Sequence, residues 1–357
     1  MEEESADLNN SNDSCLNHFP APRSSFDSLQ EPFLNFDVNS ELSFEKKSTI
    51  FNSLVTLVKT EYTFDDPLQD KAIRFLKSLE PMWGRQDQAN QLVTDLVPSS
   101  AGSHSGFVES ISTLLSAPHS TVVAAALSFL HKTAGCPPMQ DLWSLLESDL
   151  LTTVLATVQP HTLPISGNET IIDNLIWIIF NCINLALPYN LRNLDITTSI
   201  DKYSHREMIF QKVVIPSSQF VTFLISNRYN LNGDLFRSFI NLLSVLLRIG
   251  PFHRPTLEYV LASPIAMTFS STLLSIEDEN CLWSALFNIA LSLEEWNQDG
   301  PDRVKCKKWM IQALFSESFE DTLEQMLKYD IHGDFGRGIV TFCQSVTYKL
   351  GSNVKRQ

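Results

Sequence analysis

The chain has 357 residues, 43% of them hydrophobic and 19% charged, with a formal net charge of −15. That composition and length suit a folded protein with a large core, and the acidity disfavours general binding to phosphate backbones. Six cysteines, with no CxxC and no short cluster, read as buried thiols rather than a disulfide frame or a zinc site.

The acidic, polar start MEEESADLNN reads as neither a secretory signal nor a transit peptide. Residues 1–44 carry nine acids and one base, and they lack helical periodicity despite five phenylalanines. They are expected to form a mostly disordered acidic tail, with EPFLNF (31–36) apolar enough to pack back on the first helix or to dock elsewhere.

From residue 45 the pattern is helical. In EKKSTIFNSLVTLVKT (45–60), Ile50, Leu54, Leu57 and Val58 fall on one face. FDDPLQDKAIRFLKSLEP then offers a cap at Asp66, Pro67 in the first turn, an apolar stripe at Ile73, Leu76 and Leu79, and a stop at Pro81. VPSSAGSHSG (97–106) reads as a flexible linker. The run from Ile171 to Leu187 is the most apolar of all, but Asp173, Asn174, Asn181 and Asn184 interrupt it and Pro188 closes it. A membrane span needs about 20 mostly apolar residues, so a buried helix is expected. PYNLRNLDITTSIDKYSHREMIFQKVVIP (188–216) reads as an insertion holding a short helix around Ser204–Lys212. Asn232-Gly233-Asp234, Ser263-Pro264 and Gly300-Pro301 punctuate later helix starts. No segment alternates strongly enough to predict a sheet.

These helices repeat as a unit: a short helix with a Leu-rich end, a loop, then a longer apolar helix. Six such units run over 55–81, 112–137, 150–188, 222–251, 272–296 and 325–351. Intervals between their anchoring leucines range from 41 to 69 residues, so the repeat carries insertions.

WIIFNCI (177–183) resembles the third helix of an armadillo repeat, Trp-Ala-Leu-x-Asn-Ile/Leu, with Trp177 and Asn181 on the matching positions. SALFNIA (284–290) is similar through Ala285, Leu286, Asn288 and Ile289, with Trp283 one place early, and FRSFINLLS (236–244) matches at Asn241. The resemblance implies an all-α fold, an armadillo/HEAT-type right-handed α-solenoid of about six helical repeats over 45–350, followed by a short tail at 351–357. It also implies a concave groove lined by the third helices. There Asn amides clamp the backbone of an extended peptide and Trp indoles wall pockets. An amide suits that task because it donates and accepts at once. Read from the residues alone, Asn181 and Asn288 serve either as groove ligands or as groups satisfying a neighbouring repeat. Trp177 and Trp283 are either pocket walls or core.

Other motifs fail on context. Asp334-Phe335-Gly336 has no His-Arg-Asp run before it and too little chain after it for a kinase lobe, and GDFGRG (333–338) follows no strand. GSHSG (102–106) places His104 where a nucleophile elbow needs serine. The basic cluster RVKCKK (303–308) beside Trp309 reads as a solvated helix face or a contact for acidic segments. No catalytic, cofactor or metal site is expected. The sequence points to a non-enzymatic scaffold or adaptor, cytoplasmic or nuclear. Its partner would be a protein or extended peptide, neither nucleic acid nor membrane. Recognition of basic peptide segments, as in transport receptors, and a regulatory subunit of an enzyme complex are the alternatives.

Overall fold

The computed structural model of the chain describes residues 25–38, 40, 42–80, 103–135, 145–185, 206–249, 255–256 and 259. Among the described residues there are nine α-helices and no strand: α1 (Ser25–Asn35), α2 (Phe44–Lys59), α3 (Asp66–Leu79), α4 (Ser103–Leu115), α5 (Ser120–Ala134), α6 (Leu150–Val158), α7 (Glu169–Leu185), α8 (Arg206–Ser226) and α9 (Gly233–Ile249).

From α2 onward the helices pair as α2/α3, α4/α5, α6/α7 and α8/α9, and the pairs stack side by side. The first members form one row, in which α2 meets α4, α4 meets α6 and α6 meets α8. The second members form another, with α3 against α5, α5 against α7 and α7 against α9. This two-row stack is the solenoid expected from the repeated units, and its four pairs match the first four of the six. The last two units, 272–296 and 325–351, lie outside the described residues.

One contiguous hydrophobic cluster runs between the rows from Phe33 to Leu246. Its largest fully buried side chains are distributed almost one per helix: Phe33, Phe51, Phe75, Phe107, Phe129, Phe220 and Phe239. No helix here buries its apolar face alone, and stacking supplies the core. Cys182 lies in that core, fully buried, and burial pushes its thiol up to about 12. The other five cysteines lie outside the described residues.

Helix boundaries follow local chemistry. The cap of α3 is Asp65, one residue before the expected Asp66: its carboxylate accepts from the Leu68 N–H at 3.0 Å, and Pro67 sits within the first turn. Asn232 does the same for α9, accepting from Leu235 N–H at 3.0 Å. Helix α2 ends in a paired-bond motif. Tyr62 N–H reaches the Leu57 carbonyl and Glu61 N–H the Val58 carbonyl, with Glu61 left-handed at φ 53°. Glycine normally takes that position, and a glutamate there adds a negative charge at a helix C-terminus. Glu61→Gly is therefore expected to raise stability by about 0.5–1 kcal/mol, read as a higher urea midpoint at unchanged slope.

The structure moves three sequence expectations. The packed body begins inside the acidic 1–44 segment: α1 lies on α2, with Phe33 fully buried, because Phe33 and Phe36 supply apolar area that the segment's charge conceals. The linker predicted at 97–106 already contributes residues from Ser103 to α4, where the run of small polar residues starts a helix instead of a flexible loop. The insertion predicted at 188–216 ends in α8, a helix that continues through Pro216. Proline removes one donor and its ring crowds the carbonyl four residues back, here Lys212. The chain answers with a π-helical turn at Phe210–Val214. Buried Ile209, Val213 and Ser217 are spaced by four, which drifts about 40° per turn in a regular α-helix, and the wider turn absorbs that drift.

Among the described residues α8 is the one helix long and apolar enough, by length and composition, to cross a membrane. In the fold it packs on α6, burying Phe220, Val221, Leu224 and Ile225.

Candidate functional site

The apolar helix α7 sits in the middle of the second row, between α5 and α9. Ile171, Ile172, Leu175, Ile176, Ile178, Ile179, Cys182 and Ile183 are all buried. The residues left over, Asp173, Asn174, Trp177, Phe180, Asn181 and Asn184, recur at spacings of one, three and four. They form a single stripe along the helix, its less buried side, on which every member but Asn174 keeps partial exposure. Of the regularly spaced asparagines, Asn181 and Asn184 are partly exposed there, while Asn174 is buried.

On α3, α5, α7 and α9 the corresponding faces carry polar bridges that tie each helix to the next. Thr121 of α5 donates to the Gln69 side chain of α3 at 3.2 Å. Ser128 of α5 donates to the carboxylate of Glu80, which closes α3, at 2.7 Å. Between α7 and α9, the Ser238 hydroxyl donates to Asp173 in a short bond.

The bridge between α5 and α7 is the most developed. Asn174 is buried, and its amide N–H donates to the Thr170 carbonyl at 2.9 Å. That fixes the amide orientation and turns its oxygen to His131 Nδ1, 3.0 Å away. An oxygen can only accept, so the neutral imidazole carries its proton on Nδ1. The His131 ring also stacks on Trp177, centroids 5.9 Å apart at 11°, and Phe180 meets the other ring system edge-on at 5.1 Å and 74°. Such aromatic pairs contribute about 0.5–1.5 kcal/mol each beyond their burial. Burial lowers the His131 pKa below its ordinary value, and the Lys132 charge adds to this. The bond from Asn174 and the carboxylates of Asp173 and Glu80 oppose it.

Of the sequence-derived site residues, the structure brings Trp177 and Asn181 together on α7's less buried stripe. Trp177 is a rung between α5 and α7, with His131 on it. The Asn181 amide rests by Gly135 at the end of α5, so close that an added Cβ on Gly135 would lie 3.1 Å from Asn181 Nδ2. Asn241 lies on α9, buried and already engaged within the protein. Trp283 and Asn288 lie outside the described residues. Sequence reading missed His131 and Ser238 altogether. Their partners, Asn174 and Asp173, are 43 and 65 residues away, and nothing local marks the pairing.

Chemically, the face offers amides, hydroxyls and partly buried aromatic rings. The Cys182 thiol is buried and shifted away from reactivity. Among the described residues no group of three or more His, Cys, Asp or Glu could hold a metal ion.

No protein-family model matches the chain, and no curated protein sequence matches it. Among solved structures it is similar to a designed armadillo repeat protein, YIII(Dq)4CqI, with a TM-score of 0.53 at 12% identity, over 83% of this chain and 99% of that one. The fold is thus of the armadillo type.

Proposed function

We propose that this armadillo-type solenoid is a protein-binding module that acts without chemistry of its own, and that the less buried stripe on α7 is where a partner lies. The observation that supports this reading most is the stripe on α7. There Trp177, Asn181 and Asn184 keep part of their surface on a helix whose isoleucines are buried in the core. Amides on a rigid helix can pair the backbone of an extended peptide without reading its sequence. The internal bridges hold that face in one geometry before any partner arrives, which limits the ordering cost of binding. A scaffold or adaptor working in the cytoplasm or nucleus fits this arrangement.

The test is a double substitution. Trp177→Ala with Asn181→Ala is expected to abolish at least about nine-tenths of the binding of partners captured by the full-length chain, a loss typical of removing an interface anchor. Binding is compared by quantitative affinity capture, with circular dichroism confirming that both chains remain helical. Equal capture by a folded double variant would rule this face out as the site.

A further inference from the structure

A second concavity lies at the end of the stack where α1 runs out. A cleft of about 350 Å³ opens between the segment after α1, the start of α2 and the last turns of α3. Phe36, Leu42 and Phe75 give it apolar walls, and the charged groups among its described lining residues are both cations, Lys47 and Arg74. In a chain of net charge −15 such a surface is selective for an acidic ligand with an apolar part.

The protein's own chain shows what α3 takes on this side. Lys71 donates to the Leu34 carbonyl at 2.8 Å, and its ammonium stands 4.7 Å from the centre of the Phe36 ring. Phe36 meets Phe75 edge-on at 5.3 Å, and the Asp37 charge acts on Lys71. A Phe–Asp pair is thereby held by a cation of α3 together with Phe75. Arg74 lies three residues beyond Lys71, on the neighbouring position of the same helix surface, and brings a guanidinium to the cleft. Lys47 adds an ammonium from α2. Arg74 is engaged by Asp70 at 2.8 Å, but both side chains are more than half exposed, and a pair of that kind exchanges readily. Lys47 donates to the Ser78 carbonyl at 3.3 Å and is engaged elsewhere in the protein as well, so a ligand carboxylate joins or exchanges with its existing partners.

We propose that this cleft binds a short segment of a partner protein in which an aromatic or large aliphatic residue is followed by a carboxylate. The apolar side chain lies against Phe36 and Phe75, and the carboxylate meets Arg74 and Lys47. This site is separate from the stripe on α7, and the Trp177→Ala, Asn181→Ala double variant leaves it intact.

The probe is a fluorescein-labelled hexapeptide, Gly-Asn-Phe-Asp-Gly-Ser, titrated with the full-length chain and followed by fluorescence anisotropy. Saturable binding is expected, weakening as salt is raised. Lys47→Gln with Arg74→Gln is expected to weaken it about tenfold, and so is replacing the probe's Asp with Asn. Single Arg74→Gln serves if the double variant loses helical signal. The probe substitution needs no change to the protein at all. Absence of saturable binding, whether because another part of the chain or a second copy fills the cleft, overturns the proposal. So does equal affinity for the Asn probe, or for a folded variant lacking the cations.

Discussion

Replacing Phe33 with alanine is expected to lower the free energy of unfolding by about 3 kcal/mol, the lower part of the range for truncating a buried phenylalanine. The ring is fully buried, 5.6 Å from Phe36 and 6.3 Å from Phe75 between centroids. The backbone around it is tied in as well. Phe33 N–H donates to the Ser53 hydroxyl at 3.0 Å, and that hydroxyl donates in turn to the Gln30 carbonyl at 2.9 Å. These contacts make α1 the cover for the first described pair. The lower end of the range applies because an end helix can shift into part of the cavity. The loss should be local first, with hydrogen exchange in α1–α3 accelerating before that in α7. Leu29→Ala on the same helix, 57% exposed, is expected to change stability by less than about 0.5 kcal/mol. Equal urea midpoints for the two variants would mean that α1 contributes nothing to the fold.

The repeat was legible in the sequence because its signals are local. Leucine and isoleucine at helical spacing, together with caps such as Asn232 and breaks such as Asp65-Asp66-Pro67, mark each helix within about a turn. The single residue between the expected cap at Asp66 and the actual one at Asp65 reflects two adjacent acids that both suit the position. The role of α1 was partly legible: EPFLNF (31–36) stood out as apolar enough to pack back on the first helix, but the charge around it concealed the helix itself. Residues 1–44 as a whole are acidic and polar, whereas the packing is decided by Phe33 and Phe36 alone. Pro216 read as a boundary because proline usually ends a helix, yet α8 passes through it by widening one turn. For the candidate site, the spacing of Asp173, Trp177 and Asn181 along α7 was legible, because side chains three and four apart share one side of a helix. What the sequence lacked was the partner across the row. Trp177 reads equally as a pocket wall or as core until His131, 46 positions earlier in the chain, is seen stacked on it. Distances of that kind are set by the stacking of repeats and leave no trace in local spacing.

That stack carries the second large effect. Asn174→Ala is expected to cost about 2 kcal/mol, since it strands the His131 Nδ1–H and frees the Thr170 carbonyl on a half-buried surface. It should also loosen α5 from α7, because the imidazole's orientation over Trp177 depends on that bond. A pH dependence follows from the same geometry. The folded-state pKa of His131 lies below its ordinary 6.5, with burial as the largest cause. The unfolded chain therefore takes up a proton first as pH falls. The stability contributed by neutral His131 is complete above pH 6.5 and declines below it, down to the folded-state value, after which the loss is constant. The informative quantity is the difference between the wild-type chain and His131→Asn, whose amide nitrogen takes the place of Nδ1 beside Asn174 but does not titrate. The wild-type advantage, measured by urea unfolding at intervals between pH 7.5 and about pH 5, should shrink as acid is added. An advantage that grows on acidification would show that Asp173 and Glu80 outweigh burial and that His131 is held in its charged form.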